Sequence, residues 1–293
     1  MDLTSHRTAF RTLVALIAIW GARSTFGLAQ ATAPLAVIPL EPYLRAQSAM
    51  RVAVDGQPGI FQFDTGQGVT SISPAFVAKV GCRPWGRLTG FRMTGERLDH
   101  PHCDGVTFTV SCQHLLAPVV STVDIMAFIG HGAPAVDGGI GLDLFAGRTM
   151  TIIPRQSIIL ESPGSLALRI RNAQEVPVRL VRDVEGIALT VNAAVRTADG
   201  LAWMELDNGN GGSMVIANHI APLLGLKADL QTPELTRFSL ANGIAVNGPA
   251  RSRDLVMDGN IGAQVLNAWI LTLDLLRGQI GRASCRERVY VLV

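Results

Sequence analysis

Charge is scarce in this chain. Only 16% of its 293 residues are Asp, Glu, Lys or Arg, against about a quarter in ordinary soluble domains. Hydrophobic residues make up 48%, with 30 glycines, 15 prolines and a mean hydropathy of +0.31. Disorder, which needs few apolar residues and a high net charge, is excluded, and so is a coiled coil, because no heptad persists. Long apolar runs are also missing: none reaches the roughly 18 to 20 residues that a membrane-spanning helix requires. There is no G-x-S-x-G elbow, no H-E-x-x-H helix and no phosphate-cradling glycine loop. No cofactor and no metal are therefore expected.

The two ends read differently from the middle. Residues 1–31 place His6, Arg7 and Arg11 before an apolar run at 13–20 and end on Ala29-Gln30-Ala31, the order of a secretory signal. Residues 280–289, I-G-R-A-S-C-R-E-R-V, match the translation of a sequencing-library adapter, so 280–293 is expected to be a foreign tail; an ordinary basic tail is the alternative. Three arginines against Asp2 in the signal and three against Glu287 in the tail contribute +2 each to a total of +2, which leaves −2 for the middle. No Lys/Arg stripe with interleaved aromatics exists, so no nucleic-acid partner is expected. Export implies a periplasmic or secreted protein, an oxidising compartment and a disulfide. Cys103 and Cys112 flank the strand-like stretch 106–110 and are the expected pair, with Cys82 left over. His100, His102 and Cys103 suggest a metal site, but with no second cluster a surface turn is the better account.

The middle reads as strands separated by Gly and Pro, with short helical periodicity only at 74–80 and 218–224. It is also duplicated. In the first copy, strand 50–54, an Asp55-Gly56 turn and strand 60–63 lead to Asp64-Thr65-Gly66. In the second, strand 187–195, an Asp199-Gly200 turn and strand 201–206 lead to Asp207-Asn208-Gly209. Downstream, D-G-G-I-G with Ile140 and Gly141 answers D-G-N-I-G with Ile261 and Gly262, each before an apolar strand (149–153 and 269–273). Ile140 lies 76 residues after Asp64, whereas Ile261 lies 54 after Asp207, so the first copy carries an insertion around 87–122. Residues 161–165 read as a linker, dividing the chain into 32–165 and 166–279.

A lone Asp past a buried strand is most simply a turn former. Two in a matched repeat resemble the aspartic peptidases, specifically exported bacterial retropepsin-like proteins fused into a two-lobed, pepsin-like chain. The resemblance covers roughly residues 35–275. It implies an all-β bilobal fold of two retropepsin-like barrels with short helices, and a site complete in a monomer. By that resemblance Asp64 and Asp207 share a proton and activate water to hydrolyse a polypeptide. Thr65, Gly66, Asn208 and Gly209 would form the supporting loops, with Ile140, Gly141, Ile261 and Gly262 behind them. Thr94, Gly95 and Glu96 would tip a flap, unless they mark an ordinary surface hairpin. Three departures stand out: Asn208 where Thr or Ser is usual, Gln67 and Asn210 where a small residue is usual, and no flap tyrosine. The expectation is an aspartic endopeptidase, a hydrolase; the alternative is a catalytically impaired peptide-binding protein on the same fold.

Overall fold

The computed structural model describes residues 32–130, 132–278 and 288–292. The expected signal and most of the expected tail lie outside these residues. The fold is all-β, with short helices, and it is built by period-two alternation. In strand Gln57–Phe63, Phe61 and Phe63 face one way into the core while Gln62 faces the other. In strand Gly200–Asp207, Met204 and Leu206 are buried beneath the sheet while Trp203, Glu205 and Asp207 line its open face. The hairpin turn before the first of these strands is set by Asp55 at φ 46° and Gly56 at φ 83°, a left-handed pair that suits tight hairpins.

The first sheet has eight strands, ordered Glu41–Pro42, Ser48–Val54, Gln57–Phe63, Gly138–Ile140, Ser71–Ile72, Gln113–Thr122, Arg97–Val110 and Trp85–Phe91. It curls until Ser48–Val54 also meets Arg97–Val110, through the Ala53–Thr109 pair. Phe61 packs edge-on against Phe76 and Phe108 inside it, with ring centroids 5.4 and 5.8 Å apart. Phe76 belongs to helix Pro74–Val80, which begins on Ser73, whose hydroxyl accepts from the Phe76 N–H, and ends on Gly81 at φ 71°. Of the two helical stretches read from the sequence, this one is α-helical. The other is a 3-10 turn at Ala221–Leu224.

The second sheet has twelve strands and draws them from both copies. Ala36–Pro39, Ser157–Leu160 and Thr149–Ile153 come from the first copy, yet they join Ile270–Asp274 of the second through the Thr151–Thr272 register. The order then runs through Arg288–Leu292, Gln174–Val181, Thr190–Thr197, Gly200–Asp207, Gly259–Gly262, Met214–Ala217, Ala245–Arg253 and Glu234–Ser239. The reason is chemical as well as topological. Thr151 and Thr272 hydroxyls pair at 2.9 Å, and Thr151 donates to the buried Glu161 carboxylate at 2.7 Å. Glu161 also accepts from Ser165 and Arg169. The stretch read as a linker is therefore a structured joint, and the boundary expected at 165/166 falls inside helix Pro163–Arg169, capped by Ser162. Part of the expected foreign tail, strand Arg288–Leu292, pairs with both Ile270–Asp274 and Gln174–Val181.

The disulfide expectation is corrected. Cys82 bonds Cys103, with Cα atoms 6.2 Å apart, and Cys112 is exposed and free. Cys112 sits in the turn between Arg97–Val110 and Gln113–Thr122, beside Ser111 at φ 50°. Seven residues of extended strand, Asp104–Val110, separate Cys103 from that turn, some ~23 Å, so the two thiols cannot meet.

Candidate binding cleft

Each Asp loop is placed by a parallel strand pair. Gln57–Phe63 runs beside Gly138–Ile140, and Gly200–Asp207 beside Gly259–Gly262. The Asp64 N–H donates to the Ile140 carbonyl at 2.9 Å, and Ile140 and Ile261 are fully buried. Gly141 leaves room for the Asp143 carboxylate and Gly262 for the Asn210 carbonyl, each 2.7 Å from where a Cβ would stand. Asp137 and Asp258 repeat the same brace, accepting from the Ile60 and Trp203 N–H groups.

The two loops meet face to face. A Cβ on Gly66 would lie 2.5 Å from the Asp207 carboxyl carbon, and one on Gly209 would collide with the Asp64 carboxyl. Here glycine is required by close approach. The cross-connection runs through Thr65 and Asn208. The Thr65 hydroxyl donates to the Leu206 carbonyl at 2.6 Å and accepts from the Asn208 N–H at 3.0 Å, while the Thr65 N–H donates to Asn208 Oδ1 at 2.8 Å. Asn208 thus completes the link from its side with an amide oxygen.

The carboxyls differ in their partners. Asp64 accepts from the Gly66 N–H at 2.9 Å; burial, then the neighbouring Asp207 charge, hold it well above the usual carboxylate range. Asp207 accepts on both oxygens, from the Asn210 N–H at 3.0 Å and from Asn260 Nδ2 at 2.5 Å. Asn260 is fully buried and is steered by Asn210, whose Nδ2 donates to its Oδ1 at 2.9 Å. A third acid, Glu205, lies two residues before Asp207. Burial, then the charges of Asp207 and Asp64, push it well above its ordinary value. Behind the first loop, burial lifts Asp143 to about 6 although it accepts from the Thr70 N–H and hydroxyl.

Above this floor lies a cleft of about 1640 Å³ that runs between the halves. The hairpin of Trp85–Phe91 and Arg97–Val110 covers it, with Thr94, Gly95 and Glu96 at the tip. The tip touches the opposite side: the Val256 N–H donates to the Met93 carbonyl at 2.9 Å. Leu98 and His100 face the cleft from the hairpin. The His100–Cys103 stretch is strand, not the turn expected, and Cys103 points into the core and is bonded to Cys82. Among the described residues no group of three His, Cys, Asp or Glu could hold a metal.

The sequence singled out the two aspartates, their loops and the supporting Ile-Gly pairs, and the fold brings all of these together. It missed Glu205, Asn260 and Asp143. For the first two the signal was available in the repeat: Glu205 answers Gln62, exchanging an amide for an acid, and Asn260 answers Gly139, adding a polar side chain where the first copy has none.

No family model and no curated protein matches this chain. Among solved structures, it is similar to basic 7S globulin from soybean (TM-score 0.55, 10% identity, 87% of this chain and 94% of that one). It is similar also to conglutin gamma, a basic 7S globulin from lupine seeds (TM-score 0.54, 10% identity, 88% and 95%). At that identity the likeness describes the fold alone. These findings overturn the aspartic-peptidase identification, and with it the expected endopeptidase activity and the hydrolase assignment. The physical reason lies in what the D-x-G repeat does locally. It closes a parallel strand pair and lets two loops pack at glycine distance, which is a requirement of the architecture and does not by itself specify a reaction.

Proposed function

We propose that this protein is a binding protein that holds an extended polypeptide segment in the cleft and releases it intact. The observation that carries this reading is the roofed cleft, which is larger than the ~300–1,000 Å³ typical of small-molecule sites and long enough to contact both halves. Strand-like occupants suit such a groove, because main-chain hydrogen bonds give affinity and alternate side chains enter pockets. The carboxyl pair presents fixed acceptor oxygens to an amide N–H of the occupant. Asp207, held on both oxygens by Asn210 and Asn260, acts as a rigid recognition group. The two halves are read as two lobes of one chain, so a monomer suffices. The Cys82–Cys103 bond supports a location outside the cytoplasm, periplasmic or secreted.

The test is panning of displayed random decapeptides on the wild type and on Val181→Trp, which fills the cleft wall. Retained peptides are then resynthesised for calorimetry and mass spectrometry. One-to-one binding, intact recovery and loss in Val181→Trp are expected. Failure to retain any peptide, retention unaffected by Val181→Trp, or recovery as fragments would overturn the reading.

A further inference from the structure

Register across the second sheet sets one row of side chains on the cleft face: Arg179, Asn192, Glu205, Asn260, Val215 and Arg251, each directly opposite the next. Directly opposed residues share a face, so the row presents one acid, Glu205, between two asparagines at its centre and a guanidinium at either end. Arg179 is occupied, lying over the Trp203 ring at 3.9 Å. Arg251 and Arg253 are different. Both are exposed, both line the cleft, and they stand two residues apart on strand Ala245–Arg253. No carboxylate of the described residues pairs with either. The acids nearby have other partners: Asp258 accepts from the Trp203 N–H and faces His219, and Asp254 accepts from Asn218.

Two unpaired guanidiniums on one strand face are ~7 Å apart, which is also the spacing of alternate side chains in an extended ligand. Resting on the polypeptide reading above, we infer that Arg251 and Arg253 form an anion subsite that selects a segment carrying carboxylates on two alternate residues. Guanidinium binds carboxylate through paired hydrogen bonds. The centre of the row holds Glu205 between two asparagines and offers no guanidinium, so the acidic residues of the occupant are directed to this edge of the cleft.

The experiment uses fluorescein-labelled decapeptides of alternating valine and serine, with two successive serines in either half replaced by Glu, Gln or Lys. Anisotropy is read on the full chain and on Arg251→Gln/Arg253→Gln, whose changes are at exposed positions. The Glu peptide should bind about 10-fold tighter than the Gln peptide at low salt, with the advantage shrinking as salt rises. The double variant should erase that advantage and leave the Gln peptide unchanged. Equal binding of Glu and Gln peptides by the wild type, or a preference surviving in the double variant, overturns the subsite while leaving the polypeptide reading standing. Binding of none of the peptides overturns both.

Discussion

The same row crosses both halves of this molecule, and the two versions have opposite chemistry. In the first half, Ala49, Gln62, Gly139, Ser71 and Ser121 stand opposite one another in register. In the second half the equivalent places hold Asn192, Glu205, Asn260, Val215 and Arg251. One row has no ionisable side chain; the other has an acid, two amides and a guanidinium. The architecture that places the row is shared, so on the polypeptide reading proposed above the difference belongs to what the cleft meets, and the second half is the side that discriminates.

A size exchange accompanies the charge exchange. In the first half the long Gln67 reaches over Gly139, donating to its carbonyl at 3.0 Å and to the Val69 carbonyl at 2.7 Å. In the second half the shorter Asn210 meets the larger Asn260. Each pairing fills similar space, and close packing tolerates one exchange only with the other.

These differences can be broken in order of expected effect. Gly209→Ala should be the most damaging, because its methyl group collides with Asp64. A loss of more than ~3 kcal/mol in urea unfolding is expected from such overpacking, and a loss below ~1 kcal/mol would show that the loops separate easily. Asn260→Gly, which gives the second half the first half's residue, should cost ~2–3 kcal/mol by removing a buried donor and leaving a void. Adding Asn210→Gln should recover about half of that loss, a coupling that a double-mutant cycle measures directly.

Glu205→Gln makes the two rows alike at their centre. Burial, then the charges of Asp207 and Asp64, raise Glu205 in the native state, so its contribution is present below its ordinary pKa and is lost as pH rises through its elevated native one. The variant should therefore match the wild type near pH 4 and exceed it by ~1–2 kcal/mol near pH 8, read as a shift in the thermal midpoint. Asp143 gives the smallest effect. Its native value of about 6 means that stability present below pH 4 declines as pH rises through 6. Asp143→Asn should flatten the pH dependence between 4 and 7 and lower the acid-side midpoint slightly, through the weakened bond to Thr70.

Much of this arrangement was legible in the sequence, because it rests on local rules. The apolar run marked strand 60–63, the Asp55-Gly56 turn marked its hairpin, and the repeat identified Asp64 and Asp207 as partners. What was hidden depends on register between distant strands. No local signal says that Asn192, Glu205, Asn260 and Arg251 lie in one line, because they come from four separate strands. Nor does spacing reveal that Cys103 faces Cys82, since the helix ending at Gly81 decides that. The joint at Glu161 was hidden for the same reason: Ser-Pro-Gly-Ser reads as a loop until Thr151 and Arg169 are seen converging on the carboxylate.

The contact between the Val256 N–H and the Met93 carbonyl bears on the order of events. On the polypeptide reading proposed above, a roof fastened at its far edge comes loose before an occupant enters and refastens afterwards, so opening precedes association. In stopped-flow mixing, the observed rate should level off at the opening rate as the occupant is raised. Once refastened, the same contact delays escape, and residence time becomes a property of the hairpin tip.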